Sequence, residues 1–380
     1  MKPLRMNSIN MRIIHFADNH LGAGIDRREK DILDSFAEAI DRIIDLKPDL
    51  VINAGDLFHM VRPSNRVIAF ASEQLLRLGR KAGIPTLIIS GNHDAPKQKQ
   101  IGAVLSIFKD FENIQVVYKS RYERIKIGDC AVSAVPHCLT TDILKSELDK
   151  IAPDEKAKYN ILVLHGVVGG IKEFQMADLS EQEIKTSYFH RGFDYVALGH
   201  YHNFTCVEEN VYYSGSTERL SQSESGHAKG FIEINPDKAD LAERIVFHEV
   251  KSRVMIDLPV MKSEGKSADE IINQLERAVK EQKPEDKIVR IKVADISEET
   301  YRALPFDRIA ELKKDAFSLD IRFEKKELPE ENLYADLNLG RLDLAFEKFL
   351  DSKVVEHLDK DRLKQNALAY LRRAENEEEP

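Results

Sequence analysis

Short apolar runs alternate with polar clusters along the first 250 residues. Arg12 to Ala17, Leu50 to Ile52, Pro85 to Ser90, Asn160 to Leu164 and Tyr195 to Leu198 are brief, apolar and rich in β-branched residues. Each reads as a buried strand. Between the first two, Glu29 to Leu46 spaces Ile32, Leu33, Phe36, Ile40, Ile43 and Ile44 for one helical face and stops at Lys47-Pro48. Arg62-Pro63-Ser64 opens a second helix, Asn65 to Lys81, which closes at Gly83. Strand, helix, strand in that order implies βαβ units with parallel pairing. A short helix is expected over Ile101 to Lys109 and another over Thr141 to Ile151. Shorter β patterns lie at Gln115–Tyr118, Tyr122–Ile127, Cys130–Val135, Phe204–Val207, Val211–Ser214, Gly230–Ile234 and Ile245–Val250. That many strands suggest two packed sheets rather than one open sheet.

The texture changes near Lys251. Val254 to Val260, Ile288 to Val293 and Ala316 to Phe323 read as strands, and Ala268 to Glu281 as an amphipathic helix with Ile271, Ile272, Leu275 and Val279 on one face. These form a small α+β unit. A charged link, Glu324 to Glu331, leads to a tail where Leu337, Leu339, Leu342, Leu344, Phe346, Phe349 and Leu350 crowd a short span before Val354, Leu358 and Leu363. Such helices anchor a partner or dock on their own domain. The expected division is 1–10 as a tail, 11–250 as the main domain, 251–324 as the α+β unit and 325–380 as linker and helical tail.

Composition narrows the class. A chain of 380 residues has room for two or three domains with a sizeable core. No apolar stretch approaches the roughly 18–20 residues of a membrane span, so a soluble protein with no membrane partner is expected. Three cysteines, Cys130, Cys138 and Cys206, have no zinc spacing, which fits a reduced, cytoplasmic setting. The net charge of −9 argues weakly against a dedicated nucleic-acid binder, since such proteins are usually basic, although local patches and metal ions can override a global charge.

The chemistry lies where the strands end. Asp18-Asn19-His20 follows the first, Gly55-Asp56 the second and Gly91-Asn92-His93-Asp94 the third. His165-Gly166 and Gly199-His200-Tyr201-His202 follow the last two. The glycine at 91 suits a sharp turn with a positive φ. Open α/β sheets bind ligands at the carboxyl ends of their strands. Asp18, His20, Asp56, Asn92, His93, His165, His200 and His202 are all metal ligands or proton donors by type. Mixed imidazole, carboxylate and amide ligation is too nitrogen-rich for calcium or magnesium and lacks thiolate; it suits manganese, iron or zinc. Seven ligands exceed one ion's needs, whereas two ions sharing Asp56 use them all and leave His93 as acid or phosphate contact. Metal pairs about 3.5–4 Å apart serve in-line displacement at phosphorus. The residues alone therefore point to a two-metal phosphoester hydrolase. His15 reads as core packing, and His137, His190 and His227 as structural or surface residues.

The order D-x-H, G-D, G-N-H-D, H-G, G-H-x-H resembles the calcineurin-like metallophosphoesterase superfamily over about Met11 to Val250. Asp56-Leu57-Phe58-His59 with Arg62-Pro63-Ser64, and Ser214-Gly215-Ser216-Thr217-Glu218-Arg219 with Lys229-Gly230-Phe231, resemble its meiotic-recombination-eleven (SbcD-type) branch in archaeal form. The resemblance implies an αββα two-sheet sandwich, a small α+β DNA-capping domain and a helical C-terminal tail. It implies two manganese ions, one held by Asp18, His20, Asp56 and His202, the other by Asp56, Asn92, His165 and His200. His93 would stabilise the transition state or protonate the leaving group. His59 would lie near the scissile phosphate and matter more for exonuclease than endonuclease action. The implied function is 3′-to-5′ exonuclease and single-strand endonuclease action on double-strand-break ends, with an SMC-like coiled-coil ABC ATPase bound to the tail. A homodimer would form through the helix after Ser64 and the next one. Arg62, Lys97, Lys99, Arg191 and Arg219 are candidate DNA phosphate contacts. Two rivals remain: a small-nucleotide phosphodiesterase with the same metals, and a non-catalytic scaffold.

Overall fold

The computed structural model describes residues 11–24, 27–96, 102–170, 181–325, 346 and 362–368. β1 (Ile13–Phe16), α1 (Arg27–Leu46), β2 (Leu50–Asn53), α2 (Asn65–Leu76), β3 (Thr86–Ile89) and β4 (Ile114–Val117) open the chain. β5 (Glu123–Ile127), β6 (Cys130–Val135), α3 (Thr141–Leu148), β7 (Tyr159–His165), β8 (Val167–Val168), β9 (Glu183–Ile184) and β10 (Tyr195–Gly199) follow. β11 (Thr205–Glu208), β12 (Val211–Tyr213), β13 (Gly230–Ile234), α4 (Leu241–Arg244) and β14 (Ile245–Glu249) complete the first unit.

Two six-stranded sheets form, in the orders β14-β13-β1-β2-β3-β4 and β11-β12-β10-β7-β6-β5. Their central strands are parallel, and antiparallel strands lie toward the edges. Parallel strands covered on both faces bury both sets of side chains, which is why these runs are apolar without polar alternation. Ile13, Ile52, Leu87 and Ile89 meet Val132, Ile161, Val163 and Ala197 between the sheets. On the outer face of the first sheet, Ile14, Phe16 and Val51 pack against Ile32, Phe36 and Ile40 of α1 and Val67 and Leu75 of α2. On the outer face of the second, Leu162, Leu164 and Val196 pack against Leu144 and Leu148 of α3. The result is the αββα sandwich. His15 points into its middle layer, with Nδ1 2.9 Å from the Tyr195 hydroxyl. Burial pushes its imidazole down to about 3, so it stays neutral.

Two local expectations change. The stretch expected as a short helix before Lys109 is a 3-10 turn, Val104–Phe108, and residues 97–101 lie outside the described part. The helix after Ser64 is α-helical only to Leu76; Arg77–Lys81 widen into a π turn where Gly79 lies against the Glu112 carbonyl.

A second core follows Val250. β15 (Met255–Asp257) and β16 (Met261–Lys262) pair in parallel with successive parts of β17 (Ile288–Ile296), and β18 (Ser318–Lys325) pairs along its other edge. α5 (Ala268–Lys280) covers one face of this sheet, with Ile271, Ile272, Leu275 and Val279 on Val289, Ile291 and Val293. Two helices occupy a stretch for which the sequence carried no expectation: α6 (Glu298–Arg302) and α7 (Phe306–Lys314). Arg253 joins the two units. It reaches Asp31 of α1 through Nε (3.0 Å) and Nη2 (2.5 Å), donates from Nη1 to the Asp286 carbonyl (2.7 Å) and lies 3.9 Å from the Phe317 ring centroid. The expected helical tail falls, apart from residues 346 and 362–368, outside the described residues. No helix among the described residues is long and apolar enough to cross a membrane.

Candidate metal centre

The register carries the strand ends to one edge. Phe16 pairs with Asn53, Asn53 with Ile88, and His165 with Gly199. The carboxyl ends of β1, β2 and β3 therefore face those of β7 and β10 across the sandwich. The Asp18 carboxylate accepts the His200 backbone N–H at 2.9 Å, and the Ala54 carbonyl accepts His165 Nδ1 at 2.9 Å, so the two sheets are pinned together at the site.

Close approach has a steric requirement. A Cβ on Gly91 would lie 2.1 Å from Asp56 Oδ1, and one on Gly55 2.4 Å from His165 Nδ1. Position 91 thus needs glycine for space; it is absent from the positive-φ residues, so the expected left-handed turn is not its reason. The left-handed backbone falls instead on Asp18 (φ 52°), His20 (47°), Asp56 (52°) and His200 (107°). Such conformations cost about 1–3 kcal/mol each and persist where the surroundings impose them, characteristically at functional sites.

All seven expected ligands converge. His20 Nε2 lies 3.1 Å from His202 Nε2 and 3.6 Å from Asp56 Oδ2. His165 Nε2 lies 3.4 Å from the same Asp56 oxygen and 2.9 Å from Asn92 Oδ1, which is 3.2 Å from His200 Nδ1. Asp18 with His20 and His202, and Asp18 with Asp56 and His165, each bring one ligand atom apiece within 4.8 Å of one another. Donors about 2.1 Å from a divalent ion sit about 3 Å from their cis neighbours by simple geometry, and the observed spacings are of that size.

Charge supports the fit. His165 gives its Nδ1 proton to Ala54, so its Nε2 faces two acceptors, Asn92 and Asp56. Without a cation the imidazole satisfies them by taking a second proton. Burial pushes His165 down, but the Asp56 carboxylate, then Asp18 and the Ala54 carbonyl, more than reverse this and raise it to about 9. Burial pushes Asp56 up, yet His165, His20 and His93 hold it well below the usual carboxylate range. Burial raises Asp18 to about 6 against the pull of His165 and His202. A metal ion held by these residues would meet the same acceptors in place of protons.

His93 is half-buried at the rim of this cluster. Its backbone N–H donates to Asp56 Oδ1 (2.9 Å) and its Nδ1 to the His59 carbonyl (3.0 Å). Its ring stands edge-on to His20 at 4.7 Å. His59 joins the group, stacked on His93 at 5.2 Å with Nδ1 3.3 Å from His20 Nδ1. Burial lowers its imidazole and the neighbouring His93 lowers it further, which favours the neutral form. Asp94 ties the loops: it accepts from Gly91 N (2.8 Å) and Leu57 N (2.9 Å).

The cationic candidates divide. Arg62 is exposed, three residues beyond His59. Lys97 and Lys99 lie outside the described residues. Arg191 is spent on the Leu148 and Ile151 carbonyls (3.0 and 3.1 Å) past the end of α3, and it stacks on Tyr188. Arg219 corrects the expectation of a phosphate contact. It is only 9% exposed, and it donates to Ser252 Oγ (2.7 Å) and to the Arg253 and His227 carbonyls (2.9 and 2.6 Å). Its guanidinium holds the segment between the two units. Glu224, which the sequence reading passed over, accepts His202 Nδ1 at 3.0 Å. Its only sequence signal is a helix-capping Ser-x-x-Glu, Ser221 to Glu224.

A family model described as calcineurin-like phosphoesterase matches residues 11–204. The chain is 34% identical over 239 residues to the DNA double-strand break repair protein Mre11 of Methanococcus maripaludis, covering 58% of this chain and 62% of that relative. The proteins of the same name from Sulfolobus acidocaldarius and Methanocaldococcus jannaschii are 28% identical over 288 residues and 29% over 282. Those matches cover 72% and 70% of this chain and 72% and 74% of the relatives. The first match therefore spans less than two thirds of its relative's length.

Proposed function

The chain belongs to the calcineurin-like phosphoesterase family, and from that premise we propose that it is a manganese-dependent DNA nuclease that processes double-strand-break ends. The observation that carries the reading is Asp56 Oδ2, which lies 3.6 Å from His20 Nε2 and 3.4 Å from His165 Nε2. One carboxylate oxygen facing two imidazole nitrogens from opposite sheets supports Asp56 as a ligand that two ions would share. In this reading Asp18, His20, Asp56 and His202 would hold one ion, and Asp56, Asn92, His165 and His200 the other. When bound, the pair supplies Lewis acidity toward a phosphate and makes hydroxide available near neutral pH.

The chain's own residues do the rest. His93, whose Nδ1 is held by the His59 carbonyl, would stabilise the transition state or protonate the leaving oxygen. His59, with Nδ1 3.3 Å from His20 Nδ1, would keep His20 in orientation and border the phosphate. Arg62 offers a rim charge to the DNA backbone. DNA as substrate is supported by the names of the relatives and by the resemblance of the Asp56-Leu57-Phe58-His59 and Glu218-Arg219 motifs. Both 3′-to-5′ exonuclease and single-strand endonuclease activities are proposed. So are capping of DNA by the unit from 251 to 324, a homodimer through α2, and binding of an SMC-like ATPase by the leucine-rich tail.

The test compares two substrates. Purified protein is given end-labelled duplex and circular single-stranded DNA, and separately a chromogenic phosphodiester, with manganese, magnesium or chelator. Manganese-dependent cutting of DNA is expected. Hydrolysis of the chromogenic ester with both DNAs left intact would assign the small-nucleotide phosphodiesterase instead.

A further inference from the structure

Behind His202 sits a buried ion pair that the proposed reaction does not use. Glu224 is 1% exposed and the Lys229 side chain fully buried. Glu224 Oε1 accepts from His202 Nδ1, Ser221 N and Ser221 Oγ, each at 3.0 Å. Its Oε2 accepts from Lys229 Nζ at 2.5 Å and from Leu220 N and Ser216 Oγ at 3.3 Å. Both oxygens are thus committed to protein donors, so Glu224 is not itself a metal ligand. Lys229 Nζ also donates to the His202 carbonyl (2.7 Å) and to Asn203 Oδ1 (3.3 Å). The pair therefore grips His202 at both its ring and its backbone.

Replacing a buried ion pair with packed apolar residues is often neutral or stabilising. What the pair does achieve is orientation. A carboxylate on Nδ1 fixes the tautomer, turns Nε2 toward His20 and raises the basicity of the ring. We propose that Glu224, held by Lys229, is the positioning residue for His202 and sets the affinity of one of the two metal ions. This inference rests on the metal-centre reading above.

The experiment measures manganese binding to the full chain by equilibrium dialysis with spin-resonance counting of the bound ion. It compares wild type, Glu224→Gln and the double variant Glu224→Gln/Lys229→Met, which leaves no unpaired charge in the pocket should the single variant fold poorly. Circular dichroism and melting of the metal-free proteins check folding. In a folded variant, one of the two binding steps is expected to weaken about 10–100-fold while the other is unchanged. Two unchanged steps would overturn the inference, and so would equal weakening of both, which marks a structural role alone. Wild type that binds no manganese would overturn the metal-centre reading itself, which separates the two failures.

Discussion

The His93 backbone donates to Asp56 Oδ1, yet the proposed function gives the two side chains separate tasks. His93→Ser is expected to lower DNA cutting by about 10²–10⁴-fold with manganese content unchanged. Asp56→Ala is expected to lose metal as well as activity. Metal analysis on the assayed preparations checks both, and loss of manganese in His93→Ser would contradict the division. Gly91→Ala would drive a methyl to 2.1 Å from Asp56 Oδ1. Overpacking of that kind costs about 1–3 kcal/mol, to be read from chemical denaturation of the metal-free protein, and metal affinity should fall with it. The converging ligands were legible because each follows its own apolar strand within a few residues. Glu224 was not, because 22 residues and a folded loop separate it from His202. Arg219 misled for a related reason: charge type says nothing about burial, and its partners Ser252 and Arg253 are more than 30 residues away.

At the scale of elements, the strands of the sandwich follow from short β-branched runs, and α1 from a face long enough to show its period. α6 and α7 were invisible because five and nine residues are too short for periodicity to stand out. Only the fold brings Ile309 and Leu312 onto the core of α5 and β17. The junction is likewise tertiary. Arg253 ties α1 to the second unit, while Glu218 accepts the Arg253 backbone N–H at 2.9 Å. Arg253→Ala removes charge-assisted hydrogen bonds at a largely buried seam. A loss of about 1–3 kcal/mol is expected, with faster proteolysis between residues 250 and 255 than in wild type. An unchanged cleavage pattern and melting temperature would show that the pin carries no load.

For the whole molecule, strand order and the facing of the two sheets decide function, and neither is written in local pattern. The sequence suggested two sheets. Only their pairing explains why His165 and His200, from one sheet, both meet Asn92 of the other, and why His165 also meets Asp56. The central claim is that this shared edge works as a two-ion centre. It is tested most directly by titrating manganese into chelator-treated protein while following both bound ion per chain and the rate of cutting of end-labelled DNA. The account predicts activity that rises with the second equivalent and is absent in chelator. Full activity at one ion per chain, or cutting that persists with no metal bound, would contradict it.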